Sequence, residues 1–208
     1  SRVAALDLGF VPGKNGRNVA GIVDGAQKGE IDFIYLLGAD ECDVSHLGRA
    51  FVVYQGSHGD AGAHNADVIL PGAAYTEKDG LYVNFEGRVQ CAERAVFPPG
   101  EAKADWAILR ALSDALGKRL PYDDLAALRK AIIADAPHFA NVGEAAPHGG
   151  ADVTDWNAVG AAGAIERGTK LASAMSDYYL TNAIARASET MAKCSREFVT
   201  GAQPMAAE

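Results

Sequence analysis

Residues 66–90, ADVILPGAAYTEKDGLYVNFEGRVQ, constrain the fold more than any other part of the chain. Val68, Ile69 and Leu70 read as a short buried strand, ended by Pro71, which has no N–H for a sheet ladder. Gly72, Ala73 and Ala74 are small enough for the backbone to run close against another surface. A charged turn follows over residues 76–80, and Gly80 and Gly87 permit turns at positive φ. Leu81, Val83 and Phe85 alternate with Tyr82 and Asn84, which predicts a strand carrying the first three on one face.

An α/β rhythm precedes this segment. Residues 18–28 can form a short helix, weakened by Gly21 and Gly25, with Gly29 where a C-terminal cap belongs. Residues 31–37 are a nearly continuous apolar run rich in Ile, Phe and Tyr, which suits a strand covered on both faces. Residues 51–54 and 68–70 are two more such strands. The gaps between them are short, so the crossovers must be compact and one is expected to be mostly loop. Such strands imply a parallel sheet with ligand-facing loops at its carboxyl ends, here residues 38–43 and 55–65.

Pro98-Pro99-Gly100 breaks the chain. Residues 101–116 then carry Trp106, Leu109, Leu112 and Leu116 at helical spacing, ending at Gly117. Asp123 and Asp124 sit in the first turn of a second helix, where the dipole favours acids, with Leu125, Leu128 and Ile132 as its buried stripe. From 140 to 175 alanine and glycine dominate without a sustained period, the pattern of a linker. Beyond it Leu180, Ile184, Ala187, Met191, Cys194 and Phe198 step by 4, 3, 4, 3, 4. That is the stripe of one amphipathic helix, about 28 Å long at ~1.5 Å per residue. An isolated helix is marginal in water, so this one must dock, either on its own domain or on a partner subunit.

Charge and residue inventory exclude several functions. A net charge of −8 argues against nucleic acid, whose phosphates demand a basic footprint. No run of 18 apolar residues offers a membrane span. Cys42, Cys91 and Cys194 are odd in number and widely spaced, which fits a reducing compartment and cannot supply the four clustered ligands of an iron–sulfur site. Cys42, His46, His58 and His64 form no C-x-x-C or H-x-x-x-H pair. The glycine-rich run 56–62 follows a strand but is neither G-x-G-x-x-G nor a Walker loop. Ser57, His58 and Asp60 have triad identities but stand too close in sequence to converge. Glu77, Lys78, Asp79, Glu86 and Arg88 are expected to pair as a structural salt-bridge set. The opening Ser1-Arg2-Val3, without an initiator Met or signal-peptide pattern, reads as mid-protein sequence, so the chain is expected to be a fragment.

The order A-D-V-I-L-P, small residues, E-K-x-G and N-x-E-G-R-x-Q resembles the molybdopterin oxidoreductase family. Leu36 to Asp40, Tyr54 to Asp60 and Leu70 to Lys78 most resemble one branch of it, the large iron–sulfur subunits of NADH:quinone oxidoreductase (respiratory complex I). Asp177-Tyr178-Tyr179 and Ser188 to Cys194 resemble that branch's C-terminal signature. The resemblance is strong over 1–117 and 176–203 and weak between. It implies an α/β fold, a Rossmann-like parallel sheet with flanking helices, followed by a helical C-terminal extension. The expected division is an α/β domain over 1–139, a linker over 140–175, and a docking helix and tail over 176–208.

In pterin-binding relatives the equivalent loops lie by the cofactor cleft, so the resemblance marks Gln55, Gly56, Gly59, Glu77, Lys78, Asn84 and Arg88 as candidates for a relic cleft. Leu180, Ile184, Ala187, Met191 and Phe198 are the partner-docking candidates. The branch implies no catalytic residue, metal or cofactor in this segment. It places 2Fe–2S and 4Fe–4S clusters on residues outside the chain and implies other peripheral-arm subunits of complex I as partners. The implied location is the cytoplasmic face of a bacterial inner membrane or the matrix side of the mitochondrial one. The alternative is a fragment of an active, formate dehydrogenase-like enzyme, which should continue after Gln90 into a β-rich, cofactor-covering domain. This chain runs into helices instead.

Overall fold

The computed structural model describes residues 2–144, 163, 168, 170, 173 and 175–201. Most of the expected linker and the end of the tail lie outside the described residues. In chain order the first half comprises α1 (Arg2–Asp7), α2 (Val19–Gln27), β1 (Phe33–Leu37), β2 (Phe51–Gly56), α3 (Ala61–His64) and β3 (Val68–Pro71). A hairpin of β4 (Gly80–Val83) and β5 (Val89–Ala92) follows, then α4 (Asp105–Ala115) and α5 (Leu125–Asp135).

β1, β2 and β3 form a parallel sheet in that order, with Phe33 beside Phe51 and Val53 beside Val68. The helix expected over 18–28 is α2. The Asn18 side chain accepts from Gly21 N, and Gly29 at φ 71° turns the chain out of it. One crossover is loop and the other holds only the single-turn α3, as the short gaps demand. Ile34, Leu36, Val52 and Tyr54 face one way and pack on Ala26, Val44, Leu47 and Ala63. A smaller core joins Val83 and Val89 of the hairpin to Ala136 and Phe139 beyond α5.

The outer strands depart from expectation. Only β2 is covered on both faces; in β1 Phe33 and Leu37 are more than half exposed, and in β3 so is Ile69. An apolar run suits a covered strand, but it does not say what covers each face. The hairpin is also shorter than the alternation predicts. The Asn84 side-chain oxygen accepts from the amides of Glu86 and Arg88, both at 2.9 Å, and Gly87 adopts φ 81°. This Asx turn ends β4 at Val83 and leaves Phe85 at the tip, 97% exposed. Gly80 sits within β4 and has no positive φ.

α4 begins four positions after Glu101, because the preceding backbone is used elsewhere. Lys103 bridges Gly72 in parallel: its amide donates to Pro71 O at 3.1 Å and its carbonyl accepts from Ala73 N at 2.7 Å. Leu116 lies past the helix end and is 70% exposed, so it does not join the half-buried Trp106, Leu109 and Leu112. Gly72 passes as closely as expected; a Cβ there would stand 3.0 Å from Asp105 Oδ1.

The C-terminal stripe is not one helix. It is a 3₁₀ turn (Tyr178–Leu180), α6 (Ala183–Ala187), α7 (Glu189–Ser195) and a π-helical turn (Arg196–Thr200). The breaks fall at residues whose side chains cap the next segment. Asp177 accepts from Tyr179 N, Asn182 from Ala185 N, and Ser188, at ψ 120°, from Met191 N. Among the described residues no helix is long and apolar enough to cross a membrane.

Candidate functional site

The carboxyl ends of β1 and β2 open into a cleft of about 660 Å³. Its floor is Gly38, Asp40, Tyr54 and Gly56, and its roof is the tail's own Ile184 and Met191. Tyr54 is 2% exposed. Its hydroxyl donates to Asp40 Oδ2 at 2.7 Å and lies 3.0 Å from the His58 carbonyl. Burial first, and then the Asp40 carboxylate, hold the phenol well above its ordinary pKa of 10.0. Asp40 Oδ1 also accepts from Gly62 N at 2.9 Å. A Cβ at Gly62 would come within 2.7 Å of the Tyr54 ring, and one at Gly56 would meet the same ring from the other side. The glycine-rich run is therefore a cradle for a tyrosine side chain.

The tail is latched beside this cleft. Arg186 Nε donates to Asp60 Oδ2, and its Nη1 donates to Leu180 O at 3.2 Å. Asp60 caps α3 by accepting from Ala61 N. Arg186 chiefly, with that amide, pulls the Asp60 carboxyl below its ordinary 3.8 against a desolvation that opposes it. Asp177 ties the tail internally, accepting from Ser195 Oγ at 2.5 Å.

The seven cleft candidates do not converge. Gly56 alone lines the cleft. Gln55, fully buried, points to the other face, where its Nε2 donates to Asp105 Oδ1 at 2.9 Å and its Oε1 accepts from Tyr35. Lys78 forms an ion pair with the same Asp105. Gly59 has open space around it, Glu77 accepts from Ala74 N at 2.9 Å, Asn84 shapes the hairpin turn, and Arg88 donates to Gly143 O at 2.9 Å. The expected salt-bridge set is replaced by these separate partnerships, with Asp79 accepting from Arg94 N at 3.1 Å.

Of the docking candidates, Ile184 and Met191 face the cleft, Leu180 lines an adjoining hollow with Asp60 and Arg186, and Phe198 lies against Tyr179 at a 6.1 Å ring separation. Ala187 is exposed. Ser57 Oγ and His58 Nδ1 are 2.9 Å apart, but the Asp60 carboxylate is taken by Arg186, so no triad forms. Cys42 packs on the core, and among the described residues no three His, Cys, Asp or Glu side chains cluster as metal ligands. The expected ligand-facing loop 38–43 contains Asp40, but no motif marks Tyr75 as a cleft residue or Arg186 as the latch beside it. Arg186 meets a partner 126 positions away, which no local spacing encodes.

The electrostatics of the cleft are one-sided. Asp40 and Glu41 line it, and among the described residues no lysine or arginine does. An anionic ligand there would meet two carboxylates without the cations that favour phosphate groups. The lining does not fit the anionic pterin cofactor of the family's active members.

The chain is a member of the molybdopterin oxidoreductase family, whose model matches residues 1–115. A second family model, for the C-terminal region of an NADH-ubiquinone oxidoreductase subunit, matches residues 148–194 and so extends into the expected linker. The chain is 46% identical over 196 residues to the NADH-ubiquinone oxidoreductase 75 kDa subunit of Reclinomonas americana, covering 94% of this chain and 27% of that protein. It is 46% identical over 206 residues to the mitochondrial 78 kDa subunit of Candida albicans, covering 95% and 26%. It thus spans about a quarter of the length of these relatives. Among solved structures, acetylene hydratase from Pelobacter acetylenicus aligns over 57% of this chain and 18% of that one, at 20% identity and a TM-score of 0.46.

Proposed function

We propose that the chain is a scaffold segment of the large iron–sulfur subunit of respiratory complex I, supporting electron transfer from NADH to quinone without performing a step itself. The observation that carries this reading is the cleft at the carboxyl ends of β1 and β2. It is acidic, cradles Tyr54, and is roofed by Ile184 and Met191. What these residues do is hold a shape: Asp40 and Tyr54 fix the loop, and Arg186 fastens the tail over it. The likeness to the 75 and 78 kDa subunits supports the assignment to complex I. In this reading 2Fe–2S and 4Fe–4S clusters sit on residues outside this chain. The partners are other peripheral-arm subunits, on the cytoplasmic face of a bacterial inner membrane or the matrix side of the mitochondrial one.

Molybdenum, pterin and iron analysis of the assembled complex carrying this chain tests the reading. The expected result is iron without stoichiometric molybdopterin. Stoichiometric molybdopterin would overturn it.

A further inference from the structure

A second cavity, of about 510 Å³, lies on the Leu37 side of the sheet, between α1, the hairpin, α4 and α5. Leu8, Leu37, Leu81, Trp106, Leu128 and Phe139 give it apolar walls. Its size and its few polar groups are those of a small-molecule site. Four charged residues reach it: Lys78, Asp79, Asp105 and Arg129. Three are spoken for. Lys78 and Asp105 neutralise each other, and Asp79 accepts from the Arg94 amide. Arg129 differs. Among the described residues its buried Nε has no hydrogen-bond partner, and its Nη2 has only the Cys91 sulfur, at 3.5 Å. Sulfur is a weak acceptor, and among the described residues no carboxylate pairs with this guanidinium. The side chain is only part-buried, but its Nε hydrogen is shut away from solvent without an acceptor, and a ligand oxygen would relieve that cost.

We infer that this cavity binds an amphiphilic monocarboxylate, its apolar chain between α4 and α5 and its carboxylate on Arg129. A guanidinium favours a carboxylate because two parallel N–H bonds match its two oxygens. The carboxylate sits at the Arg129 end, since Asp79 would repel it elsewhere along the rim.

Isothermal titration of the 208-residue chain with decanoate and with decanol tests the assignment. Decanoate is expected to bind saturably at one per chain and more tightly than decanol. Arg129→Gln should weaken decanoate about tenfold or more and leave decanol unchanged. Arg129→Lys, which keeps the charge but loses the fork, should recover part of that loss. Far-UV circular dichroism of both variants should match the parent, because Arg129 has no ion-pair partner to strand. Absence of saturable decanoate binding, equal binding of decanol, or unchanged affinity in Arg129→Gln would overturn the inference.

Discussion

The guanidinium of Arg186 donates to the carboxylate of Asp60, fastening the C-terminal segment to the N-cap of α3 across 126 positions of sequence. Both side chains are about three-quarters buried, so breaking the pair leaves a poorly solvated charge. Arg186→Ala should lower the free energy of local opening by about 1–3 kcal/mol. Hydrogen exchange at the amides of α6 and α7 reads this directly, and unchanged protection there would show that the pair does not hold the tail.

The same pair sets a pH dependence. The Asp60 carboxyl is depressed below 3.8 in the folded chain, mainly by Arg186. A depressed acid stabilises the folded form above its unfolded pKa and loses that contribution as pH falls through its folded value. The tail should therefore loosen progressively from about pH 4 downward, in the range where carboxyls lose their charge. Methyl NMR signals of Ile184 and Met191 should shift over that range, and Arg186→Gln should flatten the response.

Gly62 is a steric requirement. Its amide reaches Asp40, and an added Cβ would stand 2.7 Å from the Tyr54 ring and 2.9 Å from Asp40 Oδ1. Gly62→Ala should cost about 1–3 kcal/mol in urea unfolding, the usual penalty of overpacking. Tyr54→Phe keeps the ring and removes only the hydroxyl, and should cost about 1 kcal/mol.

Asp105 is the shared acceptor of Lys78 and Gln55. Asp105→Ala strands both and should destabilise by about 2–4 kcal/mol on thermal or urea unfolding. Asp105→Asn retains one side-chain acceptor in place of two and should cost less. Equal losses would assign the effect to packing alone.

Ser188 interrupts the tail's helical stripe by capping α7. Ser188→Ala should destabilise α7 by about 1 kcal/mol, seen as faster exchange at the Met191 amide. Slower exchange, with more helix by circular dichroism, would mean that the stripe prefers to be continuous.

Local features are the ones the amino-acid order discloses. Asn18 and Gly29 bracket α2 because caps and positive φ act within a few residues. The parallel strands are legible because apolar runs separated by turn residues have few alternatives. What is not legible is non-local. Gln55, Lys78 and Asp105 converge from distant positions, so the glutamine that resemblance assigns to a cleft serves the opposite face. Phe33 and Ile69 look like core because hydrophobicity does not say which surface will cover them. The tail fails differently: Asn182 and Ser188 sit inside a clean 4-3-4-3 rhythm, and both are N-cap types whose preference the periodicity hides.

The sheet stops at β3, whose far side has no neighbouring strand among the described residues and whose Ile69 is 55% exposed. Lys103 covers only the carboxyl end of that margin, bonding Pro71 O and Ala73 N, and the rest is a template for β-augmentation. Prepared by itself, the chain should therefore be prone to self-association through strand addition. A lysine in place of Ile69 is a simple solubilising change, since charge at a sheet margin discourages intermolecular pairing.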